Sequence, residues 1–340
     1  MNEILKMSKA DILKCIDKAM ANYKVAALTK KSGQPKYDYV ANGREVMLNY
    51  QPTILSPKKF FFPQDEVILE YTADGKVSSK IVAEPLLLFG VRPCDLNAIK
   101  IMDEAFAESN GDPNYLAKRE QSIIIGIDCK KICDEDAFCY KVKANYATSS
   151  FDIMLYEYGS DYLVESITDK GKKFCKKYLT AGKADAKDKE KYDKEKADGF
   201  AKTHAFKDFD KLPEVFANNK DHEVWGEESK RCLSCGSCIM VCPTCYCFDV
   251  ADELALSLKK GERIRRWDAC MLSSFAVVAG GENFRHETKQ RLHHRLDRKF
   301  NFLMKKHDQS VCVGCGRCVR ACLADISPKK IVEKIVGESE

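Results

Sequence analysis

The sequence predicts two domains: an α/β domain with a partly parallel sheet over residues 1–225, then an α-helical, cysteine-rich domain over residues 226–340. Three observations carry this. Between residues 85 and 129 two apolar runs flank a stretch with helical spacing, which reads as a βαβ unit with a parallel strand pair. From Lys289 to Lys306, Leu292, Leu296, Phe300 and Leu303 fall on one helical face. The spacing C-x2-C-x2-C-x3-C occurs at Cys232, Cys235, Cys238 and Cys242 and returns at Cys312, Cys315, Cys318 and Cys322. That is the iron–sulfur ligand run of bacterial-type ferredoxins, so the second domain is expected to be a helical ferredoxin-type dicluster domain.

Taken in order, Ser8-Lys9-Ala10-Asp11 reads as a capping box. Ile12, Leu13, Ile16, Ala19, Met20 and Tyr23 follow at helical spacing. Cys15 in that helix is expected to pack, not to ligate. Residues 44–72 read as short strands and turns broken by Pro52, Pro57 and Pro63. Leu86 to Val91 and Ser122 to Ile127 read as buried strands, with a helix over Leu96–Phe106. Cys94 and Cys129 follow the two strands, where ligands gather in open α/β sheets, so they should approach each other with Cys139 close behind. A place before a helix N-terminus favours thiolate at Cys94.

Phe151 to Ile167 reads as a hairpin around Gly159, and Lys172 to Leu179 as a short basic helix holding a structural Cys175. Lys183 to Asp198 has twelve charged residues of sixteen and reads as a solvated helix or a connector, not a core element. Sixty-nine residues separate the two cysteine runs; within them Val250 to Lys260 reads as helix. The basic face Arg291, Arg295, Arg298 and Lys299 reads as a solvated surface or a docking face for an acidic partner.

In ferredoxin-type runs the fourth cysteine serves the other cluster. This assigns one [4Fe-4S] cluster to Cys232, Cys235, Cys238 and Cys322, and another to Cys312, Cys315, Cys318 and Cys242. Gly236, Gly314 and Gly316 are expected to let backbone come close to inorganic sulfide. Zinc prefers two separated pairs of cysteines, and disulfides suit another compartment. A third [4Fe-4S] cluster is expected from Cys94, Cys129 and Cys139, closed by one of Cys245, Cys247 or Cys270. The formal charge of +5 does not argue for nucleic acid, because three clusters at about −2 each bring the total to about −1. Met1 to Ser8 does not read as a signal peptide, and no apolar run approaches the ~20 residues of a membrane span. A cytoplasmic protein is expected.

The motifs G-V-R-P-C-D-L at 90–96, I-D-C at 127–129, F-C at 138–139, the cysteine runs, W-D-A-C at 267–270 and A-G-G-E-N-F-R at 279–285 together resemble a known family. The chain is similar, from about residue 85 onward, to the iron–sulfur β subunit of cytosolic sulfhydrogenases and to the iron–sulfur electron-transfer component of anaerobic sulfite reductases. The family shows C-F-C where this chain has Ala137-Phe138-Cys139, and Cys133 could compensate. The resemblance implies an electron-transfer subunit of an anaerobic oxidoreductase complex. It would take electrons from a subunit that carries FAD and [2Fe-2S] and oxidises NAD(P)H. A terminal subunit of the hydrogenase type, or in the alternative a siroheme sulfite reductase subunit, would receive them. The G-V-R-P-C-D-L form and the hairpin near 155–165 look closer to the sulfhydrogenase type.

No G-x-G-x-x-G, P-loop or nucleophile–base signature is present. No catalytic residue is therefore expected, and the chain reads as a relay without a substrate site. Two other classes compete with this: a redox enzyme whose extra cysteines build an open, substrate-binding cluster, and a nucleic-acid protein with a structural cluster.

Overall fold

The computed structural model describes residues 4–338. Its strands are β1 (Ile4–Ser8), β2 (Lys24–Lys31), β3 (Gln34–Tyr39), β4 (Asp65–Thr72), β5 (Val77–Ser79), β6 (Leu86–Val91), β7 (Ser122–Ile127), β8 (Ile153–Tyr158), β9 (Asp161–Ser166), β10 (Gly182–Lys183), β11 (Phe248–Leu254) and β12 (Lys260–Trp267). The described residues form an eight-stranded sheet in the order β10-β1-β9-β8-β7-β6-β2-β3 and a four-stranded sheet β11-β12-β4-β5.

In the large sheet, β2, β6, β7 and β8 run parallel and the flanking strands antiparallel. The βαβ unit lies at β6, the helix Pro93–Ala107 and β7; a second helix, Pro113–Glu120, completes the crossover. Every residue of β6 and β7 is buried, as strands covered on both faces require. Ser8 caps the first helix, Lys9–Ala19, accepting from the Asp11 amide at 3.1 Å. Cys15 and Cys175 lie together in the core under this sheet. The β8–β9 hairpin turns at Gly159.

The structure corrects four expectations. Residues 44–72 hold two 3-10 turns, Gly43–Glu45 and Pro57–Phe60, and one strand, β4. The stretch 250–260 is not helical: it is most of β11 and its turn into β12. Opposite charges face each other across this pair, with Asp252 bound to Arg263 at 2.8 Å. Such cross-strand pairs favour strands over a helix that would scatter them. The part between the cysteine runs is thus not α-helical throughout, and β12 pairs with β4 from the other side of residue 225. Buried Arg265 of β12 lies between Glu66 and Asp112.

The third correction concerns the charged stretch 183–198. Most of it is the helix Ala186–Phe200, and that helix is not solvated all round. Tyr192 and Lys196 are buried, and Lys196 Nζ meets the Asp128 carboxylate at 2.7 and 2.8 Å. The fourth concerns the segment 289–306. It forms Thr288–Asp297, then a widened π turn over Arg298–Phe302, then Leu303–His307. Its basic side faces inward: Arg291, Arg295 and Lys299 are all buried. No helix is long and apolar enough to cross a membrane among the described residues.

Candidate metal centres

Each cysteine run is a loop ending in one short helical turn, Ser237–Met240 and Arg317–Arg320. The turns pack against each other. As a result the fourth cysteine of each run leaves its own loop and enters the other's cavity. One cavity, here called outer, is lined by Cys232, Cys235, Cys238 and Cys322. The other, inner, is lined by Cys242, Cys312, Cys315 and Cys318. Among the described residues no group of three or more His, Cys, Asp or Glu side chains could hold a metal ion. A single zinc draws four ligands to within about 2.3 Å of one point, whereas a cubane spreads its thiolates over the corners of a cube. Four cysteines around each cavity are the donor set of an iron–sulfur cubane.

The outer cavity is at the surface. Cys235 is exposed, and Leu233 and Leu323 beside it are 64% and 89% exposed. Amides point at its sulfurs: Ser234 N to Cys232 Sγ at 3.5 Å and Ile326 N to Cys322 Sγ at 3.4 Å. The Ser237 hydroxyl, 3.3 Å away, holds the Cys235 thiol below its ordinary range.

The inner cavity lies against the α/β domain. Gly314 has φ +59°, and a Cβ there would come 2.6 Å from the backbone of Phe138 and Cys139. At Gly316 a Cβ would meet Asp136 backbone at 2.8 Å. The room these glycines leave is taken by the loop 136–139, with Phe138 N donating to Gly314 O at 2.7 Å. Arg317 is fully buried and makes a two-pronged ion pair with Asp95 at 2.6 and 2.8 Å. Its Nε also reaches the Thr53 carbonyl at 3.0 Å. Burial pushes Cys312 up to about 12 and Cys315 up to about 11. Bound iron would supply the opposing pull, since a coordinating thiol is deprotonated outright.

Arg295 lines both cavities. It is buried, and its Nε has no hydrogen-bond partner among the described residues. Burial works against its charge, but Cys238, Cys318, Cys242 and Cys245 together outweigh that and hold the guanidinium charged. Lys299, one turn along, is held up in the same way by Cys242, Cys245 and Cys312. The inward turn of this helix is explained if these cations face thiolates and not solvent.

The other cysteines fall into two places. In the α/β domain, Cys139 is pushed up to about 12 by burial and by the neighbouring Cys129 and Cys133. Cys94 is pushed well up by burial, with Asp95, Cys315 and Cys139 nearby, so burial overrides its helix N-terminus. Arg92 stands beside Cys129 and ties the strand ends together, donating to Asp128 O at 3.0 Å. Cys245, Cys247 and Cys270 line a separate cavity of about 470 Å³ with Arg295, Arg298 and Lys299. Cys133, not one of these three, is the thiol that neighbours Cys129 and Cys139.

Sequence reasoning missed Arg317 with Asp95 and the inward Arg295. The signal for Arg317 was present: it sits between two cysteines where the first run has Ser237, and a charge inside a metal loop calls for a buried partner.

A model of the 4Fe-4S dicluster domain matches residues 231–326. Over 312 residues, 88% of each chain, the sequence is 32% identical to sulfhydrogenase 2 subunit β of Pyrococcus furiosus.

Proposed function

We propose a relay for this chain, which belongs to the family of sulfhydrogenase iron–sulfur β subunits. It is an iron–sulfur electron-transfer subunit, and in our reading single electrons pass through it between a flavin subunit oxidising NAD(P)H and a terminal hydrogenase-type subunit in the cytoplasm. The observation that carries this is the crossed lining of two adjacent cavities by the eight motif cysteines. Cys232, Cys235, Cys238 and Cys322 would hold the outer cluster; Cys242, Cys312, Cys315 and Cys318 the inner one. Each cluster supplies one-electron redox chemistry, and the protein contributes ligation, burial and hydrogen bonds to sulfur. Ser234 N and Ile326 N provide such bonds at the outer site, and the Ser237 hydroxyl lies in hydrogen-bond contact with Cys235 Sγ.

A third cluster in the α/β domain would take Cys94, Cys129, Cys133 and Cys139. It would lie next to the inner cluster, because Cys139 neighbours Cys315. The exposed Leu233 and Leu323 beside the outer site would mark where a partner subunit docks.

The test is anaerobic purification with whatever subunits accompany the chain, followed by Cys318→Ala. The variant is expected to lose about four irons, one cubane, and to stop electron flow to the acceptor. Full iron content with full transfer in that variant would overturn the assignment.

A further inference from the structure

The cavity of about 470 Å³ beside the inner site is unlike the other two. Its size suits a bound group. Three cysteines line it: the β11–β12 hairpin brings two of them together, and the third, Cys245, has its thiol against that of Cys242. Cys245 ends the turn that follows Cys242, its amide donating to Cys242 O at 3.4 Å. Cys247 comes just before β11, and Asp268 N, just after β12, donates to Cys247 O at 3.0 Å. That tie brings Cys270 against Cys247, with the two thiols in hydrogen-bond contact. Lys58 clamps the turn from the α/β domain, donating to Cys245 O at 2.7 Å and lying 4.0 Å over the Trp267 ring.

Part of the remaining wall is cationic. Arg285, Arg295, Arg298 and Lys299 line it, and none of the lining residues is a carboxylate. Arg295 and Arg285 each leave a buried Nε without a partner among the described residues. Arg295 and Lys299 also face the thiols of the neighbouring sites, whereas Arg285 and Arg298 meet no carboxylate among the described residues, so this wall suits an anionic occupant. The other cysteine-lined sites leave these three thiols unused.

We propose that Cys245, Cys247 and Cys270 ligate a further iron–sulfur cubane in this cavity, with one iron lacking a cysteine ligand and open to a small anion. Three thiolates on a [4Fe-4S] core leave about −1 in its oxidised form, which the arginine wall offsets. The open position would take a small anion, whose charge the arginines would hold. Cys245 adjoins Cys242, so this centre would branch from the inner cluster. The inference goes beyond the relay, since it gives the chain a place where an external ligand meets iron.

The test uses the anaerobically purified complex and cyanide. In the parent, reduced material titrated with cyanide is expected to shift one iron–sulfur EPR signal and leave the others unchanged. The Cys247→Ser/Cys270→Ser double variant is expected to lose about four irons and that signal, while the signals abolished by Cys318→Ala persist. Arg298→Met keeps every ligand and is expected to weaken cyanide binding about tenfold, one lost charge-assisted contact. Retention of parental iron and sulfide by the double variant would overturn the proposal. So would a parent whose EPR signals all ignore cyanide. Either outcome is distinct from failure of the relay reading, which Cys318→Ala reports.

Discussion

The outer and inner cavities come from the same sequence spacing and end in opposite surroundings. The outer one has an exposed cysteine, two exposed leucines and sulfur contacts from Ser234, Ser237 and Ile326. The inner one is packed against the backbone of loop 136–139 and pinned by a buried ion pair. Position by position the runs differ where the surroundings differ: Ser237 against Arg317, Ser234 against Gly314. Ligand identity cannot then be what distinguishes two such clusters. Burial, charge and hydrogen bonds to sulfur are what remain to set each potential, and the two halves of this domain have been given different amounts of each.

The largest effect expected from breaking that contrast is at Arg317. Arg317→Met leaves Asp95 buried and unpaired, a loss of about 3–5 kcal/mol, readable as a drop in thermal midpoint. At the matching outer position, Ser237→Ala removes one sulfur hydrogen bond and should cost about 1 kcal/mol. Equal losses at the two positions would mean that the environments are not different in kind.

A smaller effect separates backbone strain from packing. Ser234 already carries φ +51° in the outer loop, so a serine tolerates the conformation that Gly314 adopts at +59°. Gly314→Ser therefore tests only the contact with Phe138 and Cys139. It should destabilise by about 1–3 kcal/mol through overpacking, with loss of iron from the inner site. Ser234→Gly relieves the backbone but loses the bond its hydroxyl accepts from buried Arg291 at 3.0 Å, so it should cost about 1 kcal/mol with the inner site's iron retained. The smallest change in stability is expected from Leu323→Asp at the surface, within about 0.5 kcal/mol. Electron exchange with the docked partner should nevertheless slow, and unchanged exchange would move the docking face elsewhere.

The chemistry was more legible than the architecture. Cysteine spacing is local, so the eight motif thiols could be named from the chain alone, and the apolar runs around 86–91 and 122–127 announced β6 and β7. The β11–β12 hairpin was hidden because what holds it, β4 and the pair of Arg265 with Glu66, lies some two hundred residues away. The basic helix was misjudged for another reason. Arg295 and Lys299 look solvated until thiolates are put beside them, and a sequence does not carry the charge of its inorganic core. The ligands beyond the two runs stayed ambiguous because Cys133 and Cys245 are placed by loops that no periodicity describes.

Loop 136–139 lies over the inner cavity, its backbone against Gly314 and Gly316. The loop is made well before the second cysteine run, so this latch is a long-range contact that can close only after Gly316 has emerged from the ribosome.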